Sequence, residues 1–179
     1  AFVIFSSQTS AEKAWKAAKK LGDEGLLNSE RALIEKVLRE EGVNYEENKS
    51  KYILSNREFL SQPTFKDAST EIKIGDKIQS ENLEKTRKWF SENISGISWK
   101  GSSHFLRNIG YGNSFAILSK HVTAALYDLR VIESSNPPKS KEDYLEIEKS
   151  VRKFSDEIGI DIQALDLVLW SIKTGKIFK

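Results

Sequence analysis

Ile94-Ser-Gly-Ile-Ser-Trp-Lys-Gly-Ser-Ser-His-Phe-Leu-Arg-Asn108 is the stretch around which the rest of the chain is read. Ahead of it, Ser80 to Asn93 reads as a helix: Leu83, Phe90 and Ile94 recur at offsets of seven and four, leaving Lys85, Arg87 and Lys88 on the opposite face. Gly96 ends that helix, and after the short turn Gly96-Ile97-Ser98-Trp99 a second one is predicted, with Phe105, Leu106 and Ile109 on its buried side. The turn is too short to be a linker. Two helices joined this tightly leave backbone N–H groups pointing outward at the turn and at the second N-terminus, where the helix dipole favours an anion such as a phosphate.

Outward from this hairpin, every strongly periodic segment is helical. Thr9 with Glu12 three positions on reads as a capping box for a helix through Lys20, whose core face is Ala11, Ala14, Trp15, Ala18 and Leu21. Ser29 is expected to cap a helix burying Leu33, Ile34, Val37 and Leu38, stopped by Gly42, and a further helix carries Tyr52, Ile53 and Leu60. Residues 61–79 are polar and irregular, with room for at most a turn of helix. Beyond the hairpin, Gly110 to Asn113 forms a turn, and Val122, Leu126 and Leu129 mark the next helix. After the breaker Asn136-Pro137-Pro138, Ser140 with Asp143 caps a long helix bearing Tyr144, Ile147, Val151, Phe154 and Ile158, and Gly159 ends it. Asp161 is placed to cap the last helix, with Leu165, Leu169 and Ile172. No β-rich region or internal repeat remains, so the fold class is all-α.

At 179 residues, with 30% charged residues, the chain is long enough for one well-buried core, with room for a division into two lobes. No apolar run is long enough to span a bilayer and no signal-peptide pattern is present, so an intracellular location, in cytoplasm or nucleoid, is expected. The absence of cysteine excludes disulfides, thiolate metal sites and a cysteine nucleophile, and two histidines leave little for zinc, so neither metal nor cofactor is expected. A net charge of +2 does not by itself mark a nucleic-acid binder. Abundant Lys and Glu without Cys or Met hint at a heat-adapted source. Ala1-Phe-Val-Ile-Phe5 starts inside an apolar run, and the natural chain is expected to begin earlier.

The hairpin string resembles that of the helix-hairpin-helix DNA glycosylases, and within them the archaeal-type 8-oxoguanine DNA glycosylase/AP lyases. Their hairpin typically reads Gly-Ile-Gly-aromatic-Lys-Glu-Ala-Ser-His-Phe-Leu-Arg-Asn, which Gly96 to Asn108 matches at most positions. The resemblance implies two helical lobes with a cleft between them, one formed by about 1–20 with 135–179 and the other, bearing the hairpin, by about 25–130. It also implies a double-stranded DNA partner containing 8-oxoguanine or an abasic site, and a monomeric protein. Gly96, Ser98, Trp99 and Lys120 would touch DNA. Ser98 stands where the family has the second hairpin glycine; a serine fits at negative φ but narrows the approach of a phosphate. Gln8 would wedge into the duplex where the base has been flipped out, against the plainer reading of a solvated loop residue.

Chemistry would centre on Lys100. An amine nucleophile displaces the base from C1′ of deoxyribose, forming a Schiff base that can then eliminate the 3′ phosphate. A place at a helix N-terminus lowers a lysine pKa in the direction an attacking amine needs; a surface lysine is the plainer reading. Ile117-Leu-Ser-Lys-His-Val122 puts Ser119 where the family carries an aspartate that caps a helix and stabilises the cationic sugar. Serine caps equally well, but the negative charge is gone. Tyr45 and Trp170 match aromatic residues that stack on the extruded base, and the carboxylate of Lys179 would accept a hydrogen bond from the N7–H that distinguishes 8-oxoguanine from guanine. His104 and His121 are read as structural. Ser119 leaves three explanations open: a substitution made to trap a complex, a natural homologue that has lost base excision, and an enzyme relying on another carboxylate. The competing class is a damage or abasic-site binding module, without turnover or with lyase activity alone. An unrelated helical factor using the hairpin only for phosphates is the weakest alternative.

Overall fold

The computed structural model describes residues 1–61, 72, 74–112 and 115–177, and among these the chain is helical with no strand. It divides into two compact units, Ala1–Gly101 and Ser102–Lys179.

The first unit contains α1 (Phe2–Ser6), α2 (Ala11–Asp23), α3 (Arg31–Glu40), α4 (Glu46–Leu60), a 3-10 turn at Gly75–Lys77, α5 (Leu83–Asn93) and the start of α6 (Trp99–Asn108). Its core gathers Ile4 and Phe5 of α1, Ala14, Ala17 and Leu21 of α2, Ile34, Val37 and Leu38 of α3, then Val43 and Ile53. Helix α2 gives two small residues, Ala14 and Ala17, to this core, and α1 packs against α2. Trp15, expected in the core, instead sits 52% exposed with its ring edge-on to Phe2 at 6.0 Å: it lies one residue round the helix from the Ala14, Ala17, Leu21 stripe.

Two expected caps are made differently. Ser10, not Thr9, accepts the Lys13 N–H at the start of α2, because Thr9 is engaged by Lys49 and by the Asn44 N–H. Ser29 donates to the Gly25 carbonyl, and Glu30 opens α3 without a side-chain bond. Helix α5 begins at Leu83 rather than Ser80, because Asn82 accepts the Lys85 N–H at 3.0 Å. Arg87, assigned above to the solvated face, is fully buried. Its guanidinium lies 4.5 Å from the Trp99 ring centroid and it pairs with Glu84, so a charge that periodicity places outside is satisfied inside.

The second unit holds the rest of α6, then α7 (Lys120–Asp128), α8 (Lys141–Ile158) and α9 (Ile162–Thr174). Helix α9 packs against α7 and α8, burying Leu165 and Leu169 with Val122, Leu126 and Val151. Ser140 and Asp143 form the expected capping box, and Gly159 closes α8 at φ 68°. Asp161 opens α9 without a side-chain bond. Ile109, Ile158 and Ile172, predicted to face inward, are exposed. On α8 the inward register passes through Tyr144, Glu148, Val151 and Ser155; Ile158 continues that spacing but is the last residue of the helix and stays 43% exposed. The segment before α7 is held by that same face: the Tyr144 hydroxyl donates to the Ala116 carbonyl at 2.6 Å and accepts from the Leu118 N–H, while Glu148 accepts from the Ala116 N–H at 3.0 Å. No helix among the described residues is long and apolar enough to cross a membrane.

Candidate functional site

The hairpin turn is built on α4. Asn56 takes both polar groups of Ser95: its amide donates to the carbonyl at 2.9 Å and its Oδ1 accepts the N–H at 2.8 Å. One residue on, Gly96 has φ 79°, and a Cβ there would stand 2.5 Å from Cδ2 of Tyr52. Glycine is therefore required twice, for the left-handed backbone and for the ring beneath it. Ser98 is outside the left-handed region, and its hydroxyl accepts the Gly101 N–H at 3.3 Å. The second glycine of the family's hairpin is thus replaced by an N-cap, a group serine serves well. At Gly101 a Cβ would meet Ile97 at 3.1 Å and Val3 at 3.4 Å, so the start of α6 lies close against the turn and α1.

Trp99 and Lys100 are the first two residues of α6. Trp99 is half-buried beneath Arg87, and Lys100 is exposed by surface area. The protein surrounding the stem of Lys100 nevertheless removes enough water to lower its pKa below the ordinary 10.5, and the positive end of α6 pushes the same way. A lysine so placed reaches solvent while holding its proton less tightly than a free one.

The same unit carries Gln8 and Tyr45, both in the left-handed region, at φ 53° and 60°. Gln8 is exposed and its carbonyl accepts from the Asn44 amide at 2.6 Å. Tyr45 opens α4 with its ring 56% exposed. Beneath them lies a residue absent from the sequence reading: Lys49, 3% exposed, whose ammonium donates to the carbonyls of Phe5 and Ser7 at 2.9 and 2.7 Å and to the Thr9 hydroxyl at 3.1 Å. Burial lowers its pKa to about 8, although three oxygen acceptors favour the charged form.

In the second unit, Ser119 caps α7, accepting the Val122 N–H at 3.3 Å from extended backbone. Lys120 is exposed at the first position of that helix, and burial with the Lys120 charge lowers the pKa of His121. Trp170 is half-buried on α9. One turn before it, Asp166 accepts Arg107 of α6 at 2.6 Å; burial raises the Asp166 pKa to about 6 against the opposing pull of Arg107. Lys179 lies outside the described residues. Asn56, Lys49 and the Arg107–Asp166 pair had no signal in the sequence, since each acts through a partner distant in the chain.

The sequence model of the 8-oxoguanine DNA glycosylase family matches residues 1–160. The chain belongs to that family. Among its relatives, the 8-oxoguanine DNA glycosylase/AP lyase of Methanocaldococcus jannaschii is 32% identical over 99% of this chain and 80% of its own length. That of Fusobacterium nucleatum is 35% identical over 99% and 79%. The crystal structure of the M. jannaschii glycosylase/lyase in complex with a 15mer DNA containing 8-oxoguanine superposes with a TM-score of 0.85, covering 99% of this chain and 80% of that one. The 8-oxoguanine DNA glycosylase of Thermotoga maritima gives 0.82 at 30% identity, over 99% and 79%.

Proposed function

We propose that the chain is a base-excision repair enzyme, an 8-oxoguanine DNA glycosylase/AP lyase in which Lys100 is the nucleophile and the transition-state charge at position 119 is missing. The observation that carries this reading is Lys100 at the N-terminus of α6, next to a turn built for close backbone approach and with its pKa lowered. The neutral amine attacks C1′ of the damaged nucleotide, the base leaves with its bonding electrons and takes up a proton, and the amine loses a proton. Ring opening gives an iminium that acidifies C2′, whose deprotonation expels the 3′ phosphate. Gly96, Ser98, Trp99 and Lys120 contact the DNA backbone, Gln8 fills the space left in the duplex, and Tyr45 and Trp170 offer aromatic faces to an extruded base.

Base release needs stabilisation of a developing sugar cation; attack on an already open abasic aldehyde does not. Ser119 therefore slows the first step more than the second. Borohydride reduction in the presence of an abasic-site duplex is expected to give a covalent adduct on Lys100, absent from Lys100→Gln. Absence of an adduct from the parent chain refutes the assignment. Ser119 also favours a second reading, a lyase or damage binder without base excision. Adduct formation with the abasic duplex but none with an 8-oxoguanine duplex, even after prolonged incubation, would select it.

A further inference from the structure

The loop between α1 and α2 departs from the usual behaviour of a short surface connection. Its Gln8 is exposed and holds φ 53°, a left-handed conformation that is strained for any residue with a side chain. Such a residue relaxes unless its surroundings over-determine it, and here they do. Lys49 gathers the Phe5 and Ser7 carbonyls and the Thr9 hydroxyl on one ammonium, Asn44 donates its side-chain amide to Gln8 and its backbone N–H to Thr9, and Thr9 joins the two sets. Every residue from Ser7 to Thr9 is thereby bonded to the Asn44–Lys49 segment, which carries Tyr45 between its two anchors. Among the described residues no carboxylate pairs with Lys49, so its charge is satisfied by this loop.

We propose that Lys49 and Asn44 are positioning residues for duplex opening: they lock the Gln8 loop in the conformation that presents its side chain to DNA, and fix it in register with Tyr45. This inference rests on the wedge role of Gln8. A loop that must displace a base pair gains nothing from contacts it has to form during the event; held beforehand, it enters at no further ordering cost.

The experiment uses the full chain and a duplex carrying 2-aminopurine beside a tetrahydrofuran abasic-site analogue, with fluorescence reporting unstacking. Lys49→Met and the exposed variant Asn44→Ala are each expected to slow the fluorescence rise about ten-fold, with no further loss when combined with Gln8→Ala. Asn44→Ala removes only the exposed amide bond to the Gln8 carbonyl and keeps the backbone bond to Thr9, so its outcome stands if Lys49→Met folds poorly. A full signal from Asn44→Ala, or a loss that multiplies with that of Gln8→Ala, overturns the positioning role. A full signal from Gln8→Ala removes the wedge itself and this inference with it, as does a parent chain that gives no rise. Schiff-base trapping on a true abasic duplex, read in parallel, tests Lys100 independently of either result.

Discussion

The proposed function asks two things of position 119, a cap for α7 and a charge to set against the sugar cation. Ser119 accepts the Val122 N–H and so keeps the cap, but it carries no charge to set against a sugar cation. Substitutions can pull the tasks apart. Ser119→Asp preserves the cap and adds the carboxylate: its melting temperature should match the parent's, while single-turnover release of 8-oxoguanine rises by about 100-fold or more. Ser119→Ala does the reverse. It should lose about 1 kcal/mol of stability, read by denaturant titration, with little change in a base release already lacking its charge. Equal rates in all three chains would detach position 119 from the chemistry. The role expected of this residue could be stated only by resemblance, whereas its capping bond was foreseeable from residue type, since serine before a helix has few better uses.

At the scale of elements, the hairpin shows what periodicity can and cannot reveal. Its two helices, the glycine between them and the apolar Phe90 and Leu106 follow from spacing. What holds the turn does not: Asn56 reaches Ser95 across 39 residues, and no local pattern singles it out. The same limit hid Arg87, because a long cation on a helix is placed outside by default unless its aromatic partner, Trp99, is already known to lie against it. Lys49 and Glu148 were missed for the same reason, each being buried against backbone groups tens of residues away. On the apolar side Trp15 lies one position round from the buried stripe, whereas Ile158 and Ile172 keep their helices' spacing and are exposed in the last turn of each helix. Asn56→Ala tests the hairpin as a unit. It strips partners from both polar groups of Ser95 and should destabilise the chain by about 1 to 3 kcal/mol in urea titrations. DNA affinity should fall beyond what Asn93→Ala, on the neighbouring exposed surface, produces. Unchanged affinity would mean that the turn does not need its anchor to hold a phosphate.

Across the whole molecule, two buried ions leave opposite marks on stability. Asp166 has its pKa raised from 3.8 to about 6 by burial, so the folded chain binds a proton there more tightly than the unfolded one. Its contribution to stability therefore falls as pH rises through that window and is constant above it. Lys49 is lowered from 10.5 to about 8, so the unfolded chain binds the extra proton and stability rises with pH between those values. Between about 6 and 8 both groups are charged and both oppose folding, each by something on the order of 3 kcal/mol. Such terms persist in a marginally stable protein only where the charges fix geometry, as these do: Asp166 ties α9 to α6 one turn from Trp170, and Lys49 ties the Gln8 loop to α4. Thermal melts of variant and parent across pH should expose the two windows. The melting temperature of Asp166→Asn relative to the parent should climb from pH 3.8 to about 6 and then level off. That of Lys49→Met should be level up to about 8 and decline towards 10.5. A difference independent of pH in either variant would mean that the group is solvated after all, and that its hydrogen bonds place a side chain without withdrawing its charge from water.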